Sequence, residues 1–126
     1  MTTAFVDTSI LVALAYDEPS AHDAAARLAG HDLLFASTLL EAELASACRR
    51  ERRVLDPRLL ESLQWVAPPH RLSAEVGRVM GAGFVRGADC FHLATALYLS
   101  PNAASLTFLT LDQRQREVAL ALGFRI

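Results

Sequence analysis

Asp7 closes a short apolar run, Thr3 to Val6, and Asp112 stands just beyond another, Leu106 to Leu109. Both acids lie where a strand gives way to a helix, a place that an aspartate also occupies as a cap. Asp89, at the head of a further apolar segment, stands where a cap would stand too. Taken singly, each acid is explained by capping; taken together, they point elsewhere. In a parallel α/β sheet the carboxyl ends of the strands share one edge, and ligands bind in the crevice beyond it, so Asp7 and Asp112 should converge. Glu43 separates the two explanations, because it is no cap and lies beside the apolar stripe of its helix, one turn after Leu39 and one before Ala47. Glu41, on the other flank, follows Thr38 as Thr-x-x-Glu, which predicts a capping box at this helix start.

Carboxylates gathered at one sheet edge repel each other and raise one another's pKa; a hard cation stabilises them as anions. No side-chain ammonium does that work here, because all twelve basic residues are arginine. An all-oxygen site suits Mg²⁺ or Mn²⁺ rather than zinc, and magnesium accepts phosphate oxygens as further ligands, which makes a phosphodiester the natural substrate. His92 is expected to be a packed core or rim histidine, since carboxylates already satisfy a hard ion, and Trp65 is expected in the core.

The elements that must position these acids alternate. Thr3 to Val6 reads as a strand, Ser9 to Tyr16 and Ala21 to Ala29 as helices, and Leu33 to Ala36 as a second strand. A helix follows from Thr38 to about Arg53, with Leu40, Leu44, Ala47 and Cys48 at spacings of three and four. Asp56-Pro57 predicts another helix to about Leu63, and Trp65-Val66 is too short to assign. Ser73 to Met80 and Asp89 to Leu99 look helical; Leu106 to Leu109 is a strand, Gln113 to Leu122 a helix stopped by Gly123, and Phe124 to Ile126 a last strand. The pattern predicts an α/β fold with a short, largely parallel sheet, and the length of 126 residues suits a single domain.

Asp7, Asp17 and Glu18 interrupt the first apolar stretch, no other is long enough to span a bilayer, and no basic segment leads the chain, so a cytoplasmic protein away from membranes is expected. Cys48 and Cys90 lack metal-ligand spacing and read as buried thiols. The absence of lysine excludes P-loop and Schiff-base chemistry and counts against a receiver-type phosphotransfer or phosphatase domain. A net charge of −2 does not advertise nucleic-acid binding, so a polyanion would need local help. Arg86 precedes Asp89, Arg114 and Arg116 follow Asp112, and Arg49 starts the run Arg49, Arg50, Arg52, Arg53 at the end of the Glu43 helix. Guanidinium groups grip phosphates, although basic side chains at a helix end are also favoured by the dipole.

Phe5-Val6-Asp7-Thr8-Ser9 resembles the first acidic motif of the PIN-domain ribonucleases, and Ser37-Thr38-Leu39-Leu40-Glu41-Ala42-Glu43-Leu44 the second, with Glu43 in the acidic position. Asp89-Cys90-Phe91-His92-Leu93-Ala94-Thr95-Ala96 is similar to the third and Thr110-Leu111-Asp112 to the fourth, in the family's order. The resemblance is greatest to the VapC toxins of bacterial toxin–antitoxin pairs and covers nearly the whole chain. It implies a three-layer α/β/α sandwich and a metal-dependent endoribonuclease. Asp7, Glu43, Asp89 and Asp112 would surround one or two Mg²⁺ or Mn²⁺ ions, with Ser9 and Thr110 as supporting polar groups. A metal-activated water would attack phosphorus in line, a carboxylate would help to take its proton, and the products would carry 5′-phosphate and 3′-hydroxyl ends. The resemblance also implies RNA, including structured RNA such as tRNA, as substrate, a cognate antitoxin and a homodimer; the residues by themselves leave DNA open. A PIN-like module that acts only through protein contacts is the rival expectation.

Overall fold

The computed structural model describes residues 1–126. Strand β1, Thr3–Val6, is followed by helices α1, Thr8–Ala15, and α2, Ala21–Ala29, then by β2, Leu33–Ser37, and α3, Leu39–Arg50. A short 3₁₀ turn, Pro57–Leu60, leads to β3, Leu63–Val66; α4, Ser73–Ala82, and α5, Gly87–Leu99, precede β4, Thr107–Leu109, and α6, Gln113–Leu122. The four strands lie in the order β3-β2-β1-β4, every pair parallel.

Side-chain alternation explains why helices cover both faces of the sheet. Ala4, Val6, Leu34, Ala36, Leu63 and Leu109 join a core cluster with Ile10, Leu11, Ala24, Leu40 and Leu44 from α1 to α3. Phe5, Val66 and Phe108 point the other way, into a cluster built with Val79, Leu93, Leu97 and Val118 from α4 to α6. A parallel sheet buried on both faces needs such apolar strands. Phe5 and Phe108 are register partners and stack at 5.7 Å between centroids. The result is the three-layer α/β/α sandwich.

The strand order creates a switch point. From β1 the chain proceeds outward to β2 and β3, then crosses to place β4 on the other side of β1. The crevice above the carboxyl ends of β1 and β4 is therefore where an open α/β sheet accepts a ligand.

Four expectations change. Thr38 is helical and caps nothing; Ser37 Oγ instead accepts the Leu39 amide at 3.2 Å, so the Thr38–Glu41 capping box does not form. The segment after Asp56 makes only a 3₁₀ turn, because the chain must extend by Leu63 to pair with β2. Trp65 is 40% exposed rather than core, because it sits on the edge strand beyond the reach of the covering helices. The C-terminal strand shrinks to one bridge, Thr107 to Arg125. Cys48 and Cys90 are free and buried, and no helix is long and apolar enough to cross a membrane.

Candidate active site at the carboxyl edge of the sheet

Asp7 is the residue at which β1 ends, and it is 3% exposed. Its Oδ2 accepts the Ser9 amide at 3.0 Å, capping α1, and lies 3.3 Å from the Thr110 hydroxyl oxygen. Asp7 Oδ1 has no hydrogen bond, and His92 Nε2 lies 4.0 Å from it. Thr110, just past β4, binds this arrangement together. Its oxygen accepts the Asp112 amide at 3.0 Å and lies 2.8 Å from Gln115 Oε1 and 3.3 Å from Ser9 Oγ. Ser9 Oγ in turn accepts the Leu111 amide at 2.9 Å. Asp112 Oδ1 caps α6 through the Gln115 amide at 2.8 Å, leaving Oδ2 free. For Asp7 and Asp112, capping and site placement are one and the same device: the cap fixes the carboxyl group, and one oxygen remains for a ligand.

Asp89 is no cap. Arg86 holds that position at α5, without a side-chain cap bond, and Asp89 lies in the first turn. Gln115 Nε2 reaches the Asp89 carbonyl at 3.4 Å, but the Asp89 carboxylate itself accepts no hydrogen bond. Burial, then the charges of Asp7 and Asp112, and a smaller contribution from Glu43, push its pKa up to about 6 against a partial offset from His92. The charges of Asp7 and Asp112, and most weakly that of Glu43, are thus felt at Asp89.

Glu43 reaches this edge from α3. Its Oε1 accepts the Thr8 hydroxyl at 2.7 Å and is bonded to His92 Nε2 at 2.5 Å. Burial works to raise the Glu43 pKa, but the bonds to His92 and Thr8 outweigh it and hold the carboxyl below its ordinary value. For His92, burial works to lower the pKa, while the bond to Glu43 and the charges of Asp7 and Asp89 raise it above the ordinary histidine value. Ser37 Oγ lies 3.1 Å from His92 Nδ1. Because that oxygen already accepts the Leu39 amide, its hydroxyl can donate to Nδ1, which leaves the Nε2 hydrogen for Glu43. His92 thus pins α5, on one face of the sheet, to β2 and to α3 on the other.

This role is what sequence reasoning missed. His92 is fully buried, as a core histidine would be, but it is wired to Glu43 rather than merely packed. Its position one turn after Asp89, on the same face of α5, is a signal that could have found it. Thr8 carries no such signal, because its partners Glu43 and His92 come from distant segments.

The arginines separate into two groups. Arg86 and Arg114 line a cleft of about 390 Å³ together with Phe84, Val85, Asp89 and Asp112. Arg116, two residues further along α6 and so on another side of the helix, is half-buried and not part of that lining. Arg49 instead lines a separate depression with Arg50, Arg52 and Arg53. Since α3 runs away from the acidic edge, the six residues from Glu43 to Arg49 carry it about 9 Å down the axis. Arg53 there lies 5.0 Å from the Tyr16 ring centroid, a packing role.

The donor chemistry fits a hard dication: Asp7 Oδ1, Asp112 Oδ2 and the whole Asp89 carboxylate lack hydrogen bonds, and no lysine or arginine pairs with them. The geometry is open, since no three His, Cys, Asp or Glu side chains stand in an arrangement that could hold a metal ion.

The profile of the PIN domain matches residues 4–120, from the middle of β1 to the last turn of α6. The chain belongs to the PIN domain family. No curated protein matches it. PIN domains are generally nucleases and typically bind divalent metals. In this PIN domain the Ser9–Thr110 contact joins α1 to the segment after β4, and the Ser37–His92 contact joins the end of β2 to α5.

Proposed function

We propose that this PIN domain is a Mg²⁺- or Mn²⁺-dependent endoribonuclease that hydrolyses RNA phosphodiester bonds as the toxin of a type II toxin–antitoxin pair. The observation that carries the reading is Asp89: a carboxylate with no hydrogen-bond donor, pushed up to about 6 first by burial and then by Asp7 and Asp112. A site that crowds acids in this way is poised to exchange their repulsion for cation binding. Asp7, Asp89 and Asp112, with Glu43 beside them, would hold one or two ions. A bound dication supplies charge neutralisation at the phosphate and a stronger nucleophile at neutral pH.

The chain's own groups do the rest. Thr110 and Ser9 fix the directions of Asp7 and Asp112. Glu43 is kept anionic by His92 and Thr8 and has Oε2 free, so it is placed to take a proton from an attacking water. Arg86 and Arg114 offer guanidinium groups to phosphate oxygens next to Asp89 and Asp112. RNA as substrate, the toxin role, a cytoplasmic location, a cognate antitoxin over the acidic edge and a homodimer rest on the motif resemblance and on family membership.

The open geometry of the acids favours a second reading, a non-catalytic module that works through protein contacts. Incubation with structured RNA such as tRNA decides between them. The proposal predicts cleavage that requires Mg²⁺ or Mn²⁺, stops with chelator, and is abolished in Asp7→Asn and Asp89→Asn. Full cleavage without metal would refute it, and a folded, metal-supplied protein that cuts no RNA would favour the module.

A further inference from the structure

Phe84 is 69% exposed in the segment between α4 and α5, while its neighbour Val85 is 2% exposed and anchored in the core beneath. Gly83, just before, approaches α6 so closely that a Cβ there would lie 3.0 Å from Val118 Cγ2. The segment is therefore pinned on both sides of a ring that is left in water. Phe84 lines the same cleft as Arg86, Arg114, Asp89 and Asp112. Neither arginine forms a salt bridge, although two aspartates share that lining. An exposed flat ring beside unpaired guanidinium groups is the combination that binds single-stranded nucleic acid: the ring stacks a base and the cations track the backbone.

We propose that this cleft is a nucleotide subsite in which Phe84 stacks the nucleobase next to the scissile bond while Arg86 and Arg114 hold its phosphate. Phe84 thereby influences which bases are cut. The inference rests on the nuclease reading of the acidic edge. A protein occupant is less well matched, because four of the six lining residues carry charge. Val76 and Met80, which precede Phe84 at four-residue intervals and are also exposed, could nevertheless extend an apolar stripe toward a protein.

The test uses the whole chain, with Phe84→Ala, Phe84→Tyr and the double variant Arg86→Gln/Arg114→Gln. Two readouts are taken: anisotropy of a labelled single-stranded RNA with Ca²⁺ in place of the catalytic ion, and mapped cleavage of a randomised RNA with Mn²⁺. The expected result for Phe84→Ala is RNA affinity weakened about tenfold, KM raised in proportion, kcat within about twofold of wild type, and a flattened base preference at the cut. Phe84→Tyr restores all of these, and the arginine double variant weakens affinity with base preference retained and with a shallower salt dependence. Wild-type KM and base preference in Phe84→Ala would overturn the inference. So would intact RNA binding accompanied by lost self-association, which would assign Phe84 to a protein interface. A wild-type protein that binds this RNA but never cleaves it refutes the nuclease reading while the affinity comparison still judges the stacking role; one that neither binds nor cleaves refutes both.

Discussion

Asp89→Asn should make the metal-free protein more stable at neutral pH, the opposite of what is expected when a well-paired buried acid is removed. The folded chain raises the Asp89 pKa from 3.8 to about 6, with burial as the main cause and Asp7 and Asp112 next. At about 1.4 kcal/mol per pH unit, that gap sets a ceiling of about 3 kcal/mol. Asp89 is only partly shielded from solvent, so screening reduces the expected gain to about 1 kcal/mol. Because the folded state prefers the protonated acid, the penalty is absent below pH 3.8, grows as pH rises, and is complete above about 6. Thermal unfolding at low ionic strength with chelator, at about pH 4 and about pH 8, measures it. The variant should melt about 4 °C above wild type at the higher pH and together with it at the lower. Saturating Mg²⁺ should then raise the wild type more than the variant. A variant that is no more stable than wild type at the higher pH would refute the claim that these acids crowd one another.

The imidazole of His92 should titrate above its ordinary value, because the bond to Glu43 and the charges of Asp7 and Asp89 outweigh burial; Glu43→Gln should lower it, as followed by nitrogen chemical shifts in NMR. The stability contributed by this histidine is present at low pH and lost as pH rises through its folded pKa, so Glu43→Gln should flatten that loss in denaturant unfolding. Thr110→Val removes the hydroxyl that donates to Gln115 Oε1 at 2.8 Å and accepts the Asp112 amide at 3.0 Å, which should cost about 2 kcal/mol in urea unfolding and slow any cleavage. Gly123 ends α6 at φ 101°, where a Cβ would meet Ala103 Cβ at an ordinary 3.7 Å, so Gly123→Ala should cost about 1 kcal/mol through backbone strain alone, read from the shift in denaturation midpoint.

The parts of the fold legible in the sequence are those with local causes. Thr3–Val6 and Gln113–Leu122 end where expected, because Asp7 and Gly123 are terminators whose action needs no distant partner. That Asp7 and Asp112 each follow a parallel strand is legible, although the order β3-β2-β1-β4 that sets β1 beside β4 is not readable from spacing. β3 is obscured because an edge strand need not alternate: Gln64 and Trp65 are both exposed, between buried Leu63 and Val66. The start of α3 misleads for a different reason. Thr38 has the side chain of a cap but a helical backbone, and Ser37, one residue earlier, takes the task because it ends β2. Likewise, His92 resembles any core histidine until Glu43 arrives from the opposite layer.

If acids from four segments share a divalent cation, that ion should sit at the carboxyl edge of the sheet. Anomalous diffraction from crystals of the wild-type chain soaked in Mn²⁺ tests this directly. A peak is expected within coordinating distance of oxygens of Asp7, Asp89 and Asp112, with Glu43 beside them, and is expected to be absent from Asp89→Asn crystals treated alike. A peak elsewhere, or saturating Mn²⁺ with no density between these carboxylates, would contradict it.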